Sequence, residues 1–488
     1  MMTLGQAQAM LPGSRLLGPS ATPFTRVHTD TRSIAAGDLF VALKGERFDA
    51  HAFLADAARA GATAAIVSHG VELDAKGRAQ PLPALLVADT QQALARLAQV
   101  WRQRHALPLV AVAGSNGKTT VTQMIGSMLQ AWWGDGALVT RGNLNNHIGL
   151  PLTLLRLRQD DSLYHRAGVV ELGMNHPGEI AELAALAQPT VALVNNAQRE
   201  HQEFMATVEA VARENGSVIS ALPPGGTAVY PADDVYSPLW RELAGQRRVL
   251  RFSADASSSA EVRCLGAQWV AAAGGRGAHW TLALATPLGD LQTRLHLPGV
   301  HNLANAAAAA AGAIAAGCPL PMVADGLARF RAVQGRSSPT QFLQDGRTVT
   351  LVDDSYNANP DSMRAAIDLL ASLPGPHWLV MGDMGEVGEQ GEAFHAEIGR
   401  HARERGIEHV WCAGAASRAA AAAFGTGALA LNDTDAVVAR IDADAGSLPS
   451  CASALVKGSR FMRMERVVAA LQARPGPGEV PTSAGRAS

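Results

Sequence analysis

Lysine is nearly missing from this 488-residue chain: of 41 basic residues only Lys44, Lys76, Lys118 and Lys457 are lysine. Where a generic positive charge suffices the chain carries arginine. A retained lysine therefore asks for a reason that a compact ammonium satisfies and a planar guanidinium does not, such as a phosphate cradle; Lys76, in a polar loop, needs none. Cysteine is sparse as well. Cys264, Cys318, Cys412 and Cys451 show no CxxC spacing, which excludes a thiolate zinc site and a disulfide framework and fits a reducing cytoplasm. There is no excess of basic charge: the formal balance is -2, which excludes the field a long nucleic-acid duplex would need. Long apolar runs are absent too, since nothing approaches the roughly 20 residues of a membrane span. The nearest, 303–316, is short, contains Asn305 and reads as a buried helix. The N-terminus lacks the basic-then-apolar pattern of a secretory signal. A soluble protein is expected, with three domains at this length.

What is present is a repeated alternation of apolar strand, turn and helix. The first hundred or so residues mix strand-like runs at 38–43, 64–67 and 84–87 with alanine-rich helical segments, a small α/β domain. From Pro108 a strand at 109–113 leads through a glycine-rich turn into a helix. There Val121, Met124, Ile125, Met128, Leu129 and Trp132 form one stripe at helical spacing, so a parallel sheet is implied. Further buried strands are expected at 168–172 and 190–194. Beyond Arg331, strands at 348–352, 377–381, 409–413, 428–431 and 454–456 alternate with helices, a second doubly wound unit. Asn359 as N-cap and Pro360 at the first helical position start its first helix. The expected domains are 1–106, 107–331 and 332–474, followed by a disordered Pro/Gly/Ser-rich tail, 475–488.

Gly114, Ser115, Asn116, Gly117, Lys118, Thr119 and Thr120 join strand to helix, placing backbone N–H groups and the positive end of a helix dipole around an anion. Lys118 would reach terminal phosphates and Thr119 would offer its hydroxyl to Mg²⁺. The strict P-loop pattern fails, because Val112 stands where its first glycine belongs. The loop is a shortened variant. Ligands collect at the carboxyl ends of parallel strands, and there stand Glu171, Asn195, Asn196 and, a little further on, His201. Thr119 with Glu171 would give oxygen ligands to one magnesium ion. His201 would ligate a second ion, contact a carboxylate, or be an ordinary surface residue.

These motifs, in this order over 30–460, resemble the Mur ligases. The resemblance is carried by the short phosphate loop, Gly142-Asn143-Leu144-Asn145-Asn146, Glu171-Leu172-Gly173, the 196–201 stretch, Gly299-Val300-His301-Asn302, Gly335-Arg336, Asp354 and Val456-Lys457-Gly458. It implies a small N-terminal UDP-binding domain, a central P-loop-type parallel-sheet ATPase domain and a C-terminal Rossmann-like domain. It further implies that Asn302 contacts adenine, that Glu171 and His201 hold magnesium with Thr119, that Arg336 and Asp354 grip ATP, and that Lys457 stands near the reacting groups. Thr31, Arg32, Ser33, Lys44 and Gly45 are similar to the family's UDP-precursor site. Asn143, Asn145, Asn146, Asn357 and Asn359 are assigned to substrate. The segment 353–360 resembles that of the member joining D-alanyl-D-alanine to UDP-N-acetylmuramoyl-tripeptide in peptidoglycan synthesis. The implied partners are those small molecules, and a monomer is expected.

One position departs from the family. Many Mur ligases carry a lysine converted to a metal-bridging carbamate, whereas Asn215 stands there in this sequence, and no lysine occurs between Lys118 and Lys457. A second metal would be held by Glu214, by His201 with waters, or more weakly. The implied chemistry is phosphorylation of a terminal carboxylate to an acyl phosphate, followed by attack of an amine; the base is open between His201 and a nearby carboxylate. Two other readings share parts of the pattern: a ligase for a different amino acid, and a nucleotide-dependent switch without ligase activity.

Overall fold

The computed structural model describes residues 1–46, 48–73, 79–200, 202–205, 207–271, 277–443 and 448–474. His201 and the tail from 475, expected to be disordered, lie outside the described residues. Three large sheets draw their strands from 15–86, 109–295 and 338–457. The first has five strands, with the expected Asp38–Val41, Ala64–Val67 and Ala84–Leu86 side by side and parallel. The helix Thr90–Gln103, capped by the Asp89 carboxylate, leads out of this unit. It is fastened to the next by buried bonds, Trp101 Nε1 to Leu157 O at 3.1 Å and Arg102 Nε to Ala187 O at 3.0 Å.

The central sheet has nine strands, and its middle positions the site. Strand β1 (Leu109–Ala113) runs into helix α1 (Lys118–Trp133), and it lies between β2 (Ala167–Glu171) and β3 (Val191–Val194), all parallel. Val112 stands opposite Glu171 and Ala113 opposite Val194, so the three carboxyl ends are level and their loops converge. Side chains alternate between the two faces: Leu109, Ala111 and Ala113 join one core, Val110 and Val112 the other. On the first face packs α2 (Val208–Ser220), and on the second α1, with Val121, Met124, Ile125, Met128 and Leu129 of the expected stripe fully buried and Trp132 only partly so. The alanine-rich run is α3 (His301–Ala315), buried against α1. Small residues permit this closeness: a Cβ at Gly312 would stand 2.9 Å from Ile125.

The sheet is not parallel throughout. Strands Val262–Val270, His279–Ala285 and Leu291–Leu295 add an antiparallel meander at one edge. Only one of its faces is covered, so Leu291, Thr293 and Leu295 point inward while Gln292 and Arg294 face water. Such strands lack the continuous apolar run that announces a strand buried on both faces.

In the third sheet the order is Ser338–Gln344, β4 (Arg347–Asp354), β5 (Ser453–Lys457), His377–Gly382, His409–Ala413 and Ala428–Leu431, parallel except for the first pair. The last strand among the described residues is thus inserted at the centre, placing Lys457 opposite Asp354. Helices α4 (Pro360–Ala371) and α5 (Gly391–Glu404) cover one face, α4 capped by Asn359 with Pro360 at its first position. Among the described residues no helix is long and apolar enough to cross a membrane.

Candidate active site

The level ends of β1, β2 and β3 open into a cleft of about 1110 Å³ whose opposite wall is the C-terminal unit. Two glycines shape the turn after β1. A Cβ on Gly114 (φ 133°) would stand 3.0 Å from Asn195, and one on Gly117 (φ 79°) 2.5 Å from Asn305 Oδ1, so both positions demand glycine. Three N–H groups anchor the turn: Gly114 donates to Asn215 Oδ1 at 2.9 Å, Ser115 to Asn196 O at 3.2 Å and Asn116 to Asn196 Oδ1 at 2.9 Å. The first turn of α1, with Lys118, Thr119 and Thr120, then lines the cleft, where its N–H groups and dipole favour an anion. Lys118 Nζ lies back on the turn, donating to Gly114 O at 2.5 Å and Ser115 O at 3.0 Å, with Glu200 Oε2 at 3.4 Å.

Glu171 ends β2 at the cleft and is 2% exposed. Its Oε1 accepts from Asn145 Nδ2 at 2.8 Å, while Oε2 is buried with no hydrogen-bond partner among the described residues. A buried acceptor left in that state costs about 1–3 kcal/mol, more when charged, which a cation would offset. Thr119 lines the same cleft, so the donor set fits a hard divalent ion. Glu214 is committed elsewhere: its two carboxylate oxygens accept from Gly178 N at 2.9 Å and Ile180 N at 2.8 Å, capping the helix Glu179–Ala187. That engagement argues against Glu214 as the replacement for a carbamate.

A series of amides crosses the cleft floor. Asn302 Nδ2 donates to Pro298 O at 2.7 Å and to His301 Nε2 at 3.1 Å. Burial pushes the His301 imidazole down from its ordinary value, leaving the neutral acceptor this bond needs. Asn302 Oδ1 accepts from Asn305 Nδ2 at 2.8 Å, Asn305 Oδ1 from Asn195 Nδ2 at 3.0 Å, and Asn195 Nδ2 also donates to Asn116 O at 2.7 Å. Asn116 and Asn359 then exchange bonds, Nδ2 of Asn359 to Oδ1 of Asn116 at 2.9 Å and the reverse at 3.3 Å. The adenine-assigned residue, the phosphate turn and the start of α4 are thereby one network. Asn359, assigned to substrate from the sequence, is engaged in capping and in this bridge; Asn146 accepts from Ile148 N and Gly149 N.

From the C-terminal unit, Arg336 sits over the ring of Tyr356, its guanidinium carbon 3.9 Å from the ring centroid, and donates to Thr119 Oγ1 at 3.3 Å. Lys457, 4% exposed, donates to Asp354 Oδ2 at 2.5 Å and to Asn357 O at 2.9 Å. Arg199, which nothing in the sequence flagged, spans the two units: it bonds Asp361 on α4 at 2.6 Å and Glu397 on α5 at 2.8 Å. These carboxylates raise the guanidinium further, and Arg199 in turn lowers Glu397 below its ordinary value. Because the folded value of Glu397 is depressed, its contribution is complete above the usual carboxylate range, about 4.3, and disappears as pH falls through the lowered value. Arg199→Ala should widen the particle in small-angle scattering and lower kcat/KM for the cleft's substrates about three- to tenfold at low salt. High salt should bring wild type toward the variant; equal profiles for both proteins at every salt would show that Arg199 does not hold the two units together.

Thr31, Arg32 and Ser33 form a turn capped by Asp30, and Gly45 N donates to Phe48 O at 2.8 Å next to the Lys44–Asp49 bridge. None of these five lines the cleft; of the N-terminal unit only Gln91 does among the described residues. Asp49, His51 and His69 cluster nearby, but the two imidazoles stack at 3.8 Å and 23°. Nearly parallel rings cannot both direct an in-plane lone pair at one ion. Gly114 is also set back from the cleft lining, while Asn143, Asn145, Asn146, Asn302, Arg336, Asp354, Asn357, Asn359 and Lys457 share it with the phosphate turn and Glu171.

Residues 112–313 match the family described as Mur ligase middle domain, 340–473 the Mur ligase glutamate ligase domain, and 23–102 the Mur ligase family catalytic domain. The UDP-N-acetylmuramoyl-tripeptide--D-alanyl-D-alanine ligase of Escherichia coli is 41% identical, over 96% of this chain and 98% of its own length. That of Haemophilus influenzae is 34% identical over 95% and 97%. Among solved structures, MurF from Acinetobacter baumannii superposes with a TM-score of 0.84 at 33% identity, covering 97% of this chain and 99% of that one. MurF from Thermotoga maritima in complex with ADP gives 0.75 at 26%, covering 92% and 97%.

Proposed function

Since the chain belongs to the Mur ligase family, we propose that it joins D-alanyl-D-alanine to UDP-N-acetylmuramoyl-tripeptide at the cost of ATP. The products are UDP-N-acetylmuramoyl-pentapeptide, ADP and phosphate, in cytoplasmic synthesis of peptidoglycan precursor. The observation that carries the reading is the single cleft in which the phosphate turn and Glu171 face Arg336 and the Asp354–Lys457 pair. A nucleotide bound there would have its transferring end enclosed by two units and shielded from water. The UDP end of the precursor is assigned to Thr31, Arg32, Ser33, Lys44 and Gly45, outside the cleft, as a substrate with two distant ends requires. We place the domain boundaries at 106/107 and 331/332.

The reaction begins when the terminal carboxylate of the tripeptide attacks the γ-phosphorus and the bond to ADP breaks. The amine of the dipeptide then adds to the acyl phosphate, loses a proton and expels phosphate. Lys118, released from Gly114 O and Ser115 O, follows the charge on the transferring group together with the N–H groups of the first α1 turn. Arg336, packed over the Tyr356 ring, adds a second positive group from the other wall. Magnesium, for which Glu171 and Thr119 supply oxygens, would neutralise phosphate charge. A role for His201 in holding it remains part of the proposal.

Phosphate release from ATP and Mg²⁺, measured with each substrate alone and with both, should appear only with both, alongside a new UDP-pentapeptide mass. Release indifferent to the substrates would leave a nucleotide-hydrolysing switch as the better reading. Product with another amino acid in place of the dipeptide would transfer the chain to a different ligase of the family.

A further inference from the structure

We propose that Asn215 is a positioning residue that fixes the phosphate turn through its amide oxygen. This inference rests on the nucleotide-binding part of the proposed function and on no feature of the peptide substrates. Asn215 sits on α2, is 1% exposed, and accepts from Gly114 N at 2.9 Å, the first N–H of the turn. The helix that carries it is held on both sides. Glu214 clamps the start of the helix Glu179–Ala187, and Trp240 Nε1 donates to Ala212 O at 3.0 Å. On the adjoining face Gly216 lies so close to Leu243 that a Cβ there would stand 2.5 Å from it. The amide oxygen is therefore presented from a platform with little freedom to shift.

Gly114 has equally little freedom, since its Cα faces the Asn195 and Asn196 backbone nitrogens, with a Cβ position 3.0 and 3.1 Å from them. A turn approached this closely from one side needs its N–H answered from the other, and only an acceptor does that. Lysine, leucine or any side chain without an acceptor oxygen would leave the Gly114 N–H buried and unanswered. The carbonyl of the same residue receives Lys118 Nζ, so displacement of Gly114 also moves the resting place of Lys118. Nδ2 of Asn215 is buried with no hydrogen-bond partner among the described residues. The amide is thus kept for its oxygen and gains nothing from its nitrogen.

The test compares wild type with Asn215→Leu, which removes the acceptor, and Asn215→Asp, which keeps an oxygen at that place. Amide hydrogen exchange is read on a peptide covering 112–117, and ADP affinity by calorimetry, with thermal melting as a folding control. Wild type and Asn215→Asp should both protect Gly114. Asn215→Leu should lose that protection and bind ADP about tenfold more weakly, as expected for one buried donor left unanswered, with an unchanged KM for the dipeptide. Unchanged protection and ADP affinity within twofold in Asn215→Leu would overturn the proposal, as would loss of Gly114 protection in Asn215→Asp, which decides the matter if the leucine variant does not fold. Wild type that binds no ADP would instead count against the proposed function.

Discussion

Lys118→Met should reduce ligation on the order of a thousandfold or more, and Lys118→Arg should restore almost none of it. Methionine keeps the length of the stem and removes the charge, so the turn retains its anchors at Asn215 and Asn196 while the transferring phosphoryl group loses its moving cation. Arginine keeps the charge, but its planar fork has to fit where Nζ meets two carbonyls at 2.5 and 3.0 Å and the Glu200 carboxylate at 3.4 Å. A chain that uses arginine almost everywhere else has kept lysine at a place with room for a point charge only. The measurement is kcat/KM from coupled phosphate release with product mass. An arginine variant within tenfold of wild type would show that charge, and not its shape, is what the turn requires.

Glu171→Gln should cost on the order of a hundredfold or more in activity at ordinary magnesium concentrations, with partial recovery as magnesium is raised. The substitution preserves shape, and Asn145 Nδ2 can still donate to the remaining oxygen. What changes is the buried Oε2, which becomes an amide nitrogen unable to ligate a cation. A titration of rate against Mg²⁺ for both proteins separates the two roles open to this side chain. A shifted magnesium midpoint identifies a ligand; an unshifted midpoint with a lowered plateau would assign Glu171 to holding Asn145 and the 143–146 segment instead.

Much of the architecture was legible because strands such as Leu109–Ala113 and His409–Ala413 are buried on both faces and announce themselves as apolar runs. The meander at 262–295 was not, because exposed positions such as Gln268, Thr281, Gln292 and Arg294 interrupt its apolar ones. Residues at the cleft were legible where chemistry made them odd: a lysine where lysine is scarce, a glutamate ending an apolar strand, an asparagine capping a helix before proline. What escaped were contacts between places distant in the chain. Asn215 reaches Gly114 across 101 residues and Arg199 reaches Asp361 across 162, and neither side chain is unusual in its own surroundings. Asn305 did leave a signal, as the one polar side chain in an alanine-rich run, yet nothing in the run says that it faces Asn195.

The junction between the central and C-terminal units is built from two materials. At the phosphate turn it holds no ion pair, an amide of one unit facing an amide of the other, Asn116 against Asn359, beside the bond from Arg336 to the Thr119 hydroxyl. At α4 and α5 it is ionic, Arg199 against Asp361 and Glu397. Acid and salt weaken the second kind and leave the first nearly untouched. The two units would then part like a door hung at the phosphate turn, swinging wide at the far jamb while the hinge edge stays shut, so the mouth of the cleft gives way before the pocket proposed for the nucleotide.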